Sequence, residues 1–167
     1  MGPGWLLHAA GPAASFAALT TNGSFLSREA TSLAEAGLDR VTISLDAIDQ
    51  ELHSMITDSN VPVSDVLEGI SDAVRSGLGP VKVNCVVQRG VNESQIPKLV
   101  NQFRGTGVVI RFIEFMDVGR TNGWTPGQVV PTSEIIDFLS KEFDLVPLMR
   151  ESPIDVASRW AHSDGSG

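Results

Sequence analysis

The segment VTISLD at residues 41–46 decides the fold class. Side chains along a strand alternate between its two faces, so Thr42, Ser44 and Asp46 share one face and three apolar residues share the other. Strands of a parallel sheet are normally apolar on both faces, because helices cover both. A polar stripe on such a strand therefore indicates a sheet with one face packed and one face turned towards a cavity.

Two further segments have the same alternation. Lys82 and Asn84 interrupt the apolar residues of 81–87 (VKVNCVV), and Arg111 interrupts those of 108–116 (VVIRFIEFM). Residues 17–21 are a weaker candidate for a fourth strand. Strict alternation places Met116 on the face opposite Arg111, although Met116 reaches the same cavity if the strand ends before it.

Segments with helical periodicity separate these strands. A short helical piece is predicted at 49–56, and glycines end three of the longer helices. The longer predicted helices begin near Ser27, Ser64, Asn92 and Thr132. The alternation of strands and helices predicts right-handed βαβ units. The fold class is α/β: part of a TIM-like barrel with about four parallel strands and flanking helices.

The predicted polar face needs partners, because an unpaired buried charge is very costly. A cavity with Lys82, Arg111 and several hydroxyls suits a phosphorylated or carboxylated small ligand. The alternative is an internal ion-pair network of Lys82 with Asp46 or Glu114 that holds no ligand. The loop at 117–131 follows the last strand, where α/β sheets bind ligands, or it is a plain connection.

Composition excludes several classes of site. Twelve Lys and Arg against twenty Asp and Glu give a net charge of −8, which disfavours a surface that coats nucleic acid. The single cysteine, Cys85, excludes a disulfide framework and any cluster ligated by three cysteines of this chain alone. The histidines have no metal-ligand spacing and are interpreted as solvated. No membrane span or basic leader is evident, so we expect a cytoplasmic protein, or a mitochondrial one in a eukaryote.

Four segments together resemble a known family. They are LTTNG at 19–23, AGLDRVTISLDAID at 36–49, VKVNCVVQRGVN at 81–92 and RFIEFMDVGRTNGW at 111–124. In this order they resemble the GTP 3′,8-cyclase family of molybdenum cofactor biosynthesis, which are radical SAM lyases. The resemblance implies conversion of GTP to (8S)-3′,8-cyclo-7,8-dihydroguanosine 5′-triphosphate, with S-adenosylmethionine and two [4Fe–4S] clusters as cofactors.

The resemblance also implies roles for individual residues. Thr20 and Lys82 correspond to GTP-binding positions, and Ser44 and Met116 correspond to S-adenosylmethionine contacts. Arg111 corresponds to an active-site arginine. The matching part is a partial radical SAM barrel at 19–160, preceded by an unmatched, unstructured start at 1–18 and followed by a flexible end at 161–167.

The sequence departs from the family pattern in its cysteines. The motif C-x-x-x-C-x-x-C, the Gly-Gly-Glu-Pro segment and the three cysteines of the second cluster are absent, and Cys85 is interpreted as a small core residue. We therefore expect a middle portion that is inactive by itself and has no metal ligands. The alternatives are a noncatalytic half-barrel that binds a nucleotide, a second copy or a complementary half, and a Schiff-base aldolase that uses Lys82.

Overall fold

The computed structural model describes residues 16–119, 123–149 and 157–166. The first fifteen residues of the predicted unstructured start, and residues 120–122 of the last family-like segment, lie outside the described residues. The larger sheet has four parallel strands in the order β1-β2-β3-β4. Its strands are β1 Ala18–Thr21, β2 Arg40–Ser44, β3 Lys82–Val87 and β4 Val109–Glu114.

Helices follow the parallel strands in the predicted order. They are α1 Leu26–Glu35, α2 Gln50–Thr57, α3 Val63–Arg75, α4 Ile96–Phe103 and α5 Thr132–Leu139. Short 3₁₀ turns at Glu93–Gln95 and Pro126–Gln128 precede α4 and α5. This arrangement confirms an α/β fold with about four parallel strands and flanking helices. Among the described residues β1 and β4 are the two edges of an open sheet, so the barrel is partial.

The face of the sheet that packs against the helices is the apolar face predicted from the alternation. Ile43, Val83 and Cys85 are fully buried, and Ile70 of α3 and Leu99 of α4 belong to the same core. Their burial removes apolar surface from water, which stabilises the fold by roughly 25 cal/mol for each Å². The buried position of Cys85 confirms that it is a core residue.

Two helices begin one residue earlier than the starts predicted from their candidate capping serines. α1 begins at Leu26 and α3 at Val63, one residue before Ser27 and Ser64, and neither N-terminus has a side-chain cap. Leu26 and Val63 are only 3% and 9% exposed. Their burial in the core is worth more than a serine cap, so these apolar residues lie inside the first helical turn.

Val74 lies outside the buried face of α3. Val66, Ile70 and Ala73 are buried, whereas Val74 is 38% exposed. Each residue advances about 100° around a helix, so Val74 lies about 40° from Ile70, on the side of the stripe away from Ala73.

A second, antiparallel sheet was not predicted from the sequence. It pairs β5 Leu145–Leu148 with β6 Arg159–His162. His162 is buried and meets the ring of Phe143 edge to face, with 5.6 Å between the ring centroids. The predicted flexible end also has contacts, because Arg104 Nε donates a hydrogen bond of 2.8 Å to Ser166 Oγ. These contacts hold the end of the described chain against the C-terminus of α4.

Gly23 in the loop after β1 is expected to be intolerant of a side chain. Its φ is +80°, and an added Cβ would lie 2.9 Å from Val66 Cγ1. Gly37 has a similar φ of +89° but open space around it. We expect Gly37→Ala to lower the free energy of unfolding by about 1 kcal/mol and Gly23→Ala by about 2 to 4 kcal/mol. Urea denaturation of both variants measures the difference, and equal losses would contradict the close packing at Gly23.

Candidate ligand-binding site

The polar side chains of the parallel sheet form two rows on one face. Residues paired in register on parallel strands point to the same side of the sheet. The first row runs Thr20, Thr42, Lys82 across β1 to β3, and the second runs Ser44, Asn84, Arg111 across β2 to β4. The two rows define the polar face. Its rows are two residues apart along the strands, or about 6.6 Å, and neighbouring strands are about 4.8 Å apart.

The polar face brings together four of the five residues singled out from the sequence. Thr20, Ser44, Lys82 and Arg111 all lie on it. Thr20, Ser44 and Arg111 are exposed and Lys82 is half-buried, whereas the residues of β2 and β3 on the opposite face are fully buried. The side chains therefore have the access to solvent that a small ligand would require.

Met116 lies apart from the two rows. β4 ends at Glu114, so Met116 belongs to the following loop and is 55% exposed. The strand therefore ends before Met116, which is the condition under which it can reach the polar face. In the same loop Trp124 Nε1 donates a hydrogen bond of 3.1 Å to Phe115 O, so Trp124 anchors the loop to the end of β4.

Asp46 and Glu114, the carboxylates considered as ion-pair partners of Lys82, both accept hydrogen bonds from the backbone. Asp46 Oδ1 accepts from Val86 N at 2.7 Å. Glu114 Oε1 accepts from the backbone N and from Oγ1 of Thr132, each at 2.7 Å, at the N-terminus of α5. These hydrogen bonds lower the pKa of Glu114. Each carboxylate therefore joins two elements at the carboxyl edge of the sheet.

The side-chain amide of Asn92 holds the carboxyl edge together, because its nitrogen and its oxygen both make hydrogen bonds to the backbone. Its Nδ2 donates to the carbonyl oxygens of Asp46 and Val86, each at 2.9 Å, and its Oδ1 accepts from Gln88 N at 2.8 Å. Gln95 Oε1 likewise accepts from the backbone N of Ile48 at 3.2 Å. These bonds tie the end of β2 to the end of β3. This role was not predicted, because the burial of the Asn92 and Gln95 amides does not follow from the sequence pattern.

His53 in α2 is buried, not solvated as predicted. It is 4% exposed, and its Nδ1 has no hydrogen-bond partner among the described residues. Burial lowers the pKa of His53, and the nearby Asp46 carboxylate opposes this shift. Burial also raises the pKa of Asp46, against the effects of the Val86 N–H and of His53. Burial and the charge of Asp46 therefore act in opposite directions on the protonation of His53.

The residues present do not fit an iron–sulfur cluster. Such clusters are held by several cysteine thiolates. Cys85 is fully buried, burial raises the pKa of its thiol, and its Sγ lies 3.8 Å from Asp46 O. Within the described ranges no group of three or more His, Cys, Asp or Glu side chains could hold a metal ion. Nor does any described helix have the length and apolar character needed to span a membrane.

The comparison with protein families identifies the fold family. The model of the radical SAM superfamily matches residues 13–103, more than half of the chain. The chain belongs to the radical SAM superfamily. Membership implies the use of S-adenosylmethionine and an iron–sulfur cluster. A solved structure described as a radical SAM methyltransferase from Sphaerobacter thermophilus has the same fold, with a TM-score of 0.58 and 20% identity over 74% of this chain and 36% of that one.

Curated relatives confirm the resemblance to the cyclase family. A GTP 3′,8-cyclase of Xanthomonas axonopodis pv. citri is 47% identical over 150 residues, which are 90% of this chain and 45% of that protein. The GTP 3′,8-cyclase of Acidothermus cellulolyticus is 45% identical over 90% of this chain and 41% of its own length. That of Staphylococcus saprophyticus is 43% identical over 87% and 43%. The chain thus spans less than half the length of these relatives.

Replacing Asn92 tests whether the carboxyl edge depends on its amide. Asn92→Ala leaves one N–H and two carbonyl oxygens without their partner, so we expect the free energy of unfolding to fall by about 3 kcal/mol. Asn101→Ala, at an exposed position of α4, is the control and should cost no more than about 0.5 kcal/mol. Urea denaturation measures both, and similar losses at the two positions would refute this role for Asn92.

The buried His53 predicts a pH dependence of stability. The unfolded chain takes up a proton at His53 near pH 6.5, the ordinary value, whereas the folded chain does so only at lower pH. The free energy of unfolding should therefore fall as the pH drops below 6.5, by at most about 1.4 kcal/mol per pH unit for this one group.

The comparison of two variants assigns this dependence. His53→Leu should flatten the curve between pH 7.5 and 5.5, whereas the exposed control Asn101→Ala should keep the slope of the wild type. Urea denaturation at several pH values measures the slopes. An unchanged slope in His53→Leu would show that other groups cause the dependence.

Proposed function

We propose that this chain is a portion of a GTP 3′,8-cyclase, the lyase of molybdenum cofactor biosynthesis that converts GTP to (8S)-3′,8-cyclo-7,8-dihydroguanosine 5′-triphosphate. The observation that carries the proposal is the polar face, where three residues that match cyclase ligand positions and one that matches an active-site arginine lie on neighbouring strands. The identity of 41–47% to curated GTP 3′,8-cyclases supports the same substrate.

Thr20, Lys82 and Arg111 form the proposed GTP side of the face. Lys82 offers a point charge and Arg111 a planar fork, and the two lie on adjacent strands, β3 and β4. A triphosphate needs such cations. Two of them on adjacent strands are unusual in a chain whose net charge is −8. The Thr20 hydroxyl, one strand beyond Thr42, would add a neutral hydrogen-bonding group.

Ser44 and Met116 form the proposed S-adenosylmethionine side. Ser44 is exposed at the end of β2, and Met116 is exposed just beyond the end of β4, so both lie towards the carboxyl edge. The fit of a polar ligand here is supported by Asn84, whose Oδ1 is buried between these strands without a partner among the described residues. S-adenosylmethionine, when bound, supplies the 5′-deoxyadenosyl group of radical SAM chemistry.

The cyclase resemblance implies two [4Fe–4S] clusters, and the residues of this chain do not fit either one. Its single thiol is buried in the core. The role proposed for the chain is therefore to bind and orient the two small molecules, with residues 19–160 as the barrel portion. By itself the chain is not expected to perform the reaction. A cytoplasmic location is part of the same proposal.

A noncatalytic half-barrel is the second candidate function. The open edges of β1 and β4 within the described sheet favour it, because unpaired strand edges can pair with another chain. The partner would be a second copy or a complementary half-barrel. The superfamily match and the cyclase relatives disfavour the Schiff-base aldolase.

Binding of GTP by the full chain tests the proposed function. Lys82→Ala should weaken GTP binding about tenfold, because it removes a charge-assisted hydrogen bond to phosphate, and should leave S-adenosylmethionine binding unchanged. Lys98→Ala, which removes an exposed lysine of α4, is the matched control. Isothermal titration calorimetry measures both ligands.

The outcomes separate the two candidates. Binding of both ligands by the wild-type chain, with a loss of GTP affinity in Lys82→Ala alone, supports the cyclase portion. Equal effects of the two lysine variants would place GTP elsewhere. A chain that binds neither ligand and elutes as a stable oligomer in size-exclusion chromatography would favour the partner-binding half-barrel.

A further inference from the structure

Arg89 lies two residues beyond the end of β3 and contacts the segment that leads from β4 into α5. Its guanidinium makes a bidentate ion pair with Glu134 of α5, in which Nη1 donates to Oε1 at 2.9 Å and Nη2 donates to Oε2 at 2.6 Å. The same Nη2 donates to Val129 O at 3.1 Å, and the backbone N of Arg89 donates to Gln128 O at 2.8 Å. Arg89 therefore joins the end of β3 to three positions of one neighbouring segment.

This ion pair is expected to contribute little to the stability of the whole fold. The side chains of Arg89 and Glu134 are 41% and 52% exposed, and exposed ion pairs change the free energy of unfolding little. A bidentate pair of guanidinium and carboxylate nevertheless fixes the relative orientation of its two partners. Because a surface segment opens at a much lower cost than the whole fold, a contact that is weak globally can still decide the position of that segment.

The same segment is bonded to the start of the loop after β4. Gln128 Oε1 accepts a hydrogen bond of 2.9 Å from the backbone N of Thr125, and Gln128 N donates to Thr125 O at 3.0 Å, so these two residues close one tight turn. Trp124, directly before the turn, donates through Nε1 to Phe115 O at 3.1 Å. The contacts of the turn therefore extend to the peptide group immediately before Met116.

We propose that Arg89 is a positioning residue for Met116, because it holds the turn beside Trp124 and thereby sets the place of Met116 at the carboxyl edge. This inference rests on the proposed function, in which Met116 contacts S-adenosylmethionine. The residues proposed for GTP lie on the strands themselves, whose positions are fixed by the sheet and its core. Loss of Arg89 should therefore weaken the binding of S-adenosylmethionine and leave the binding of GTP unchanged.

The test breaks the ion pair from either side and uses a second exposed ion pair as its control. Calorimetry measures the binding of S-adenosylmethionine and of GTP by the full chain in the wild type, in Arg89→Ala, in Glu134→Gln and in the double variant. The control is Arg104→Ala, which removes an ion pair with Asp164. The side chains of that pair are 40% and 52% exposed, almost the same as those of the pair under test.

We expect Arg89→Ala to weaken the binding of S-adenosylmethionine about 3- to 5-fold, because the segment then occupies its binding position for a smaller fraction of the time. Glu134→Gln should cause a smaller loss, since the hydrogen bond from Arg89 to Val129 O remains. The double variant should match Arg89→Ala, because both substitutions break the same ion pair. GTP binding should be unchanged in all variants, and Arg104→Ala should bind both ligands as the wild type does.

Hydrogen exchange without ligand separates positioning from a general loss of stability. In Arg89→Ala the backbone amides of residues 115–119 and 123–131 should exchange faster, whereas those of β2 and β3 should exchange as in the wild type. Arg89→Lys should restore part of the protection and part of the affinity, because lysine keeps a positive charge opposite Glu134 but loses the bidentate geometry.

Three results would overturn the proposal. The first is unchanged binding of S-adenosylmethionine in Arg89→Ala while Lys82→Ala weakens GTP binding, which refutes the role of Arg89 and leaves the proposed function intact. The second is equal weakening of both ligands with faster exchange throughout the sheet, which indicates a general structural role. The third is a wild-type chain that binds no S-adenosylmethionine, in which case that side of the proposed function fails and the role of Arg89 fails with it.

Discussion

Burial of one face of β2 and β3 under the helices is the constraint on which the rest of this structure depends. Ile43, Val83 and Cys85 are fully buried against α1, α3 and α4. Because side chains alternate along a strand, this burial leaves no choice about where the intervening polar residues point. A slip of one residue in register would place Lys82 in the core and Val83 on the open face. The burial of the apolar face, which stabilises the fold, therefore also places the polar side chains of the candidate site on the open face of the sheet.

The second requirement is that the chain is held together at the carboxyl edge of the sheet, where β3 and β4 extend beyond the end of β2. The amide of Asn92 and the carboxylate of Asp46 join the ends of β2 and β3, and the carboxylate of Glu114 joins the end of β4 to α5. These polar groups are partly desolvated, and each is satisfied by backbone atoms. Asn84 differs from them, because its side-chain oxygen is buried but is not satisfied by any described residue.

Two kinds of group are implied by the radical SAM superfamily, small-molecule ligands and an iron–sulfur cluster. The residues of this chain suit only the first kind. The polar face carries groups that suit nucleoside and phosphate ligands, and the single buried thiol suits no cluster. The chain also spans less than half the length of the curated cyclases that it matches. Ligand recognition is therefore the role proposed for the residues of this chain.

The sequence by itself determined the α/β class, the four parallel strands and the shared face of Ser44, Lys82 and Arg111. It could do so because alternation and helical periodicity are local properties, repeated along the chain. The family-like segments added Thr20 and Met116.

Only the tertiary structure decided the burial of His53, the amide network of Asn92, the early helix starts and the antiparallel pair of β5 and β6. Each of these depends on contacts between residues far apart in the chain, and local pattern carries no information about them. The same is true of Asn84: its place on the polar face follows from the sequence, but the burial of its unpartnered oxygen arises only when β2, β3 and β4 come together.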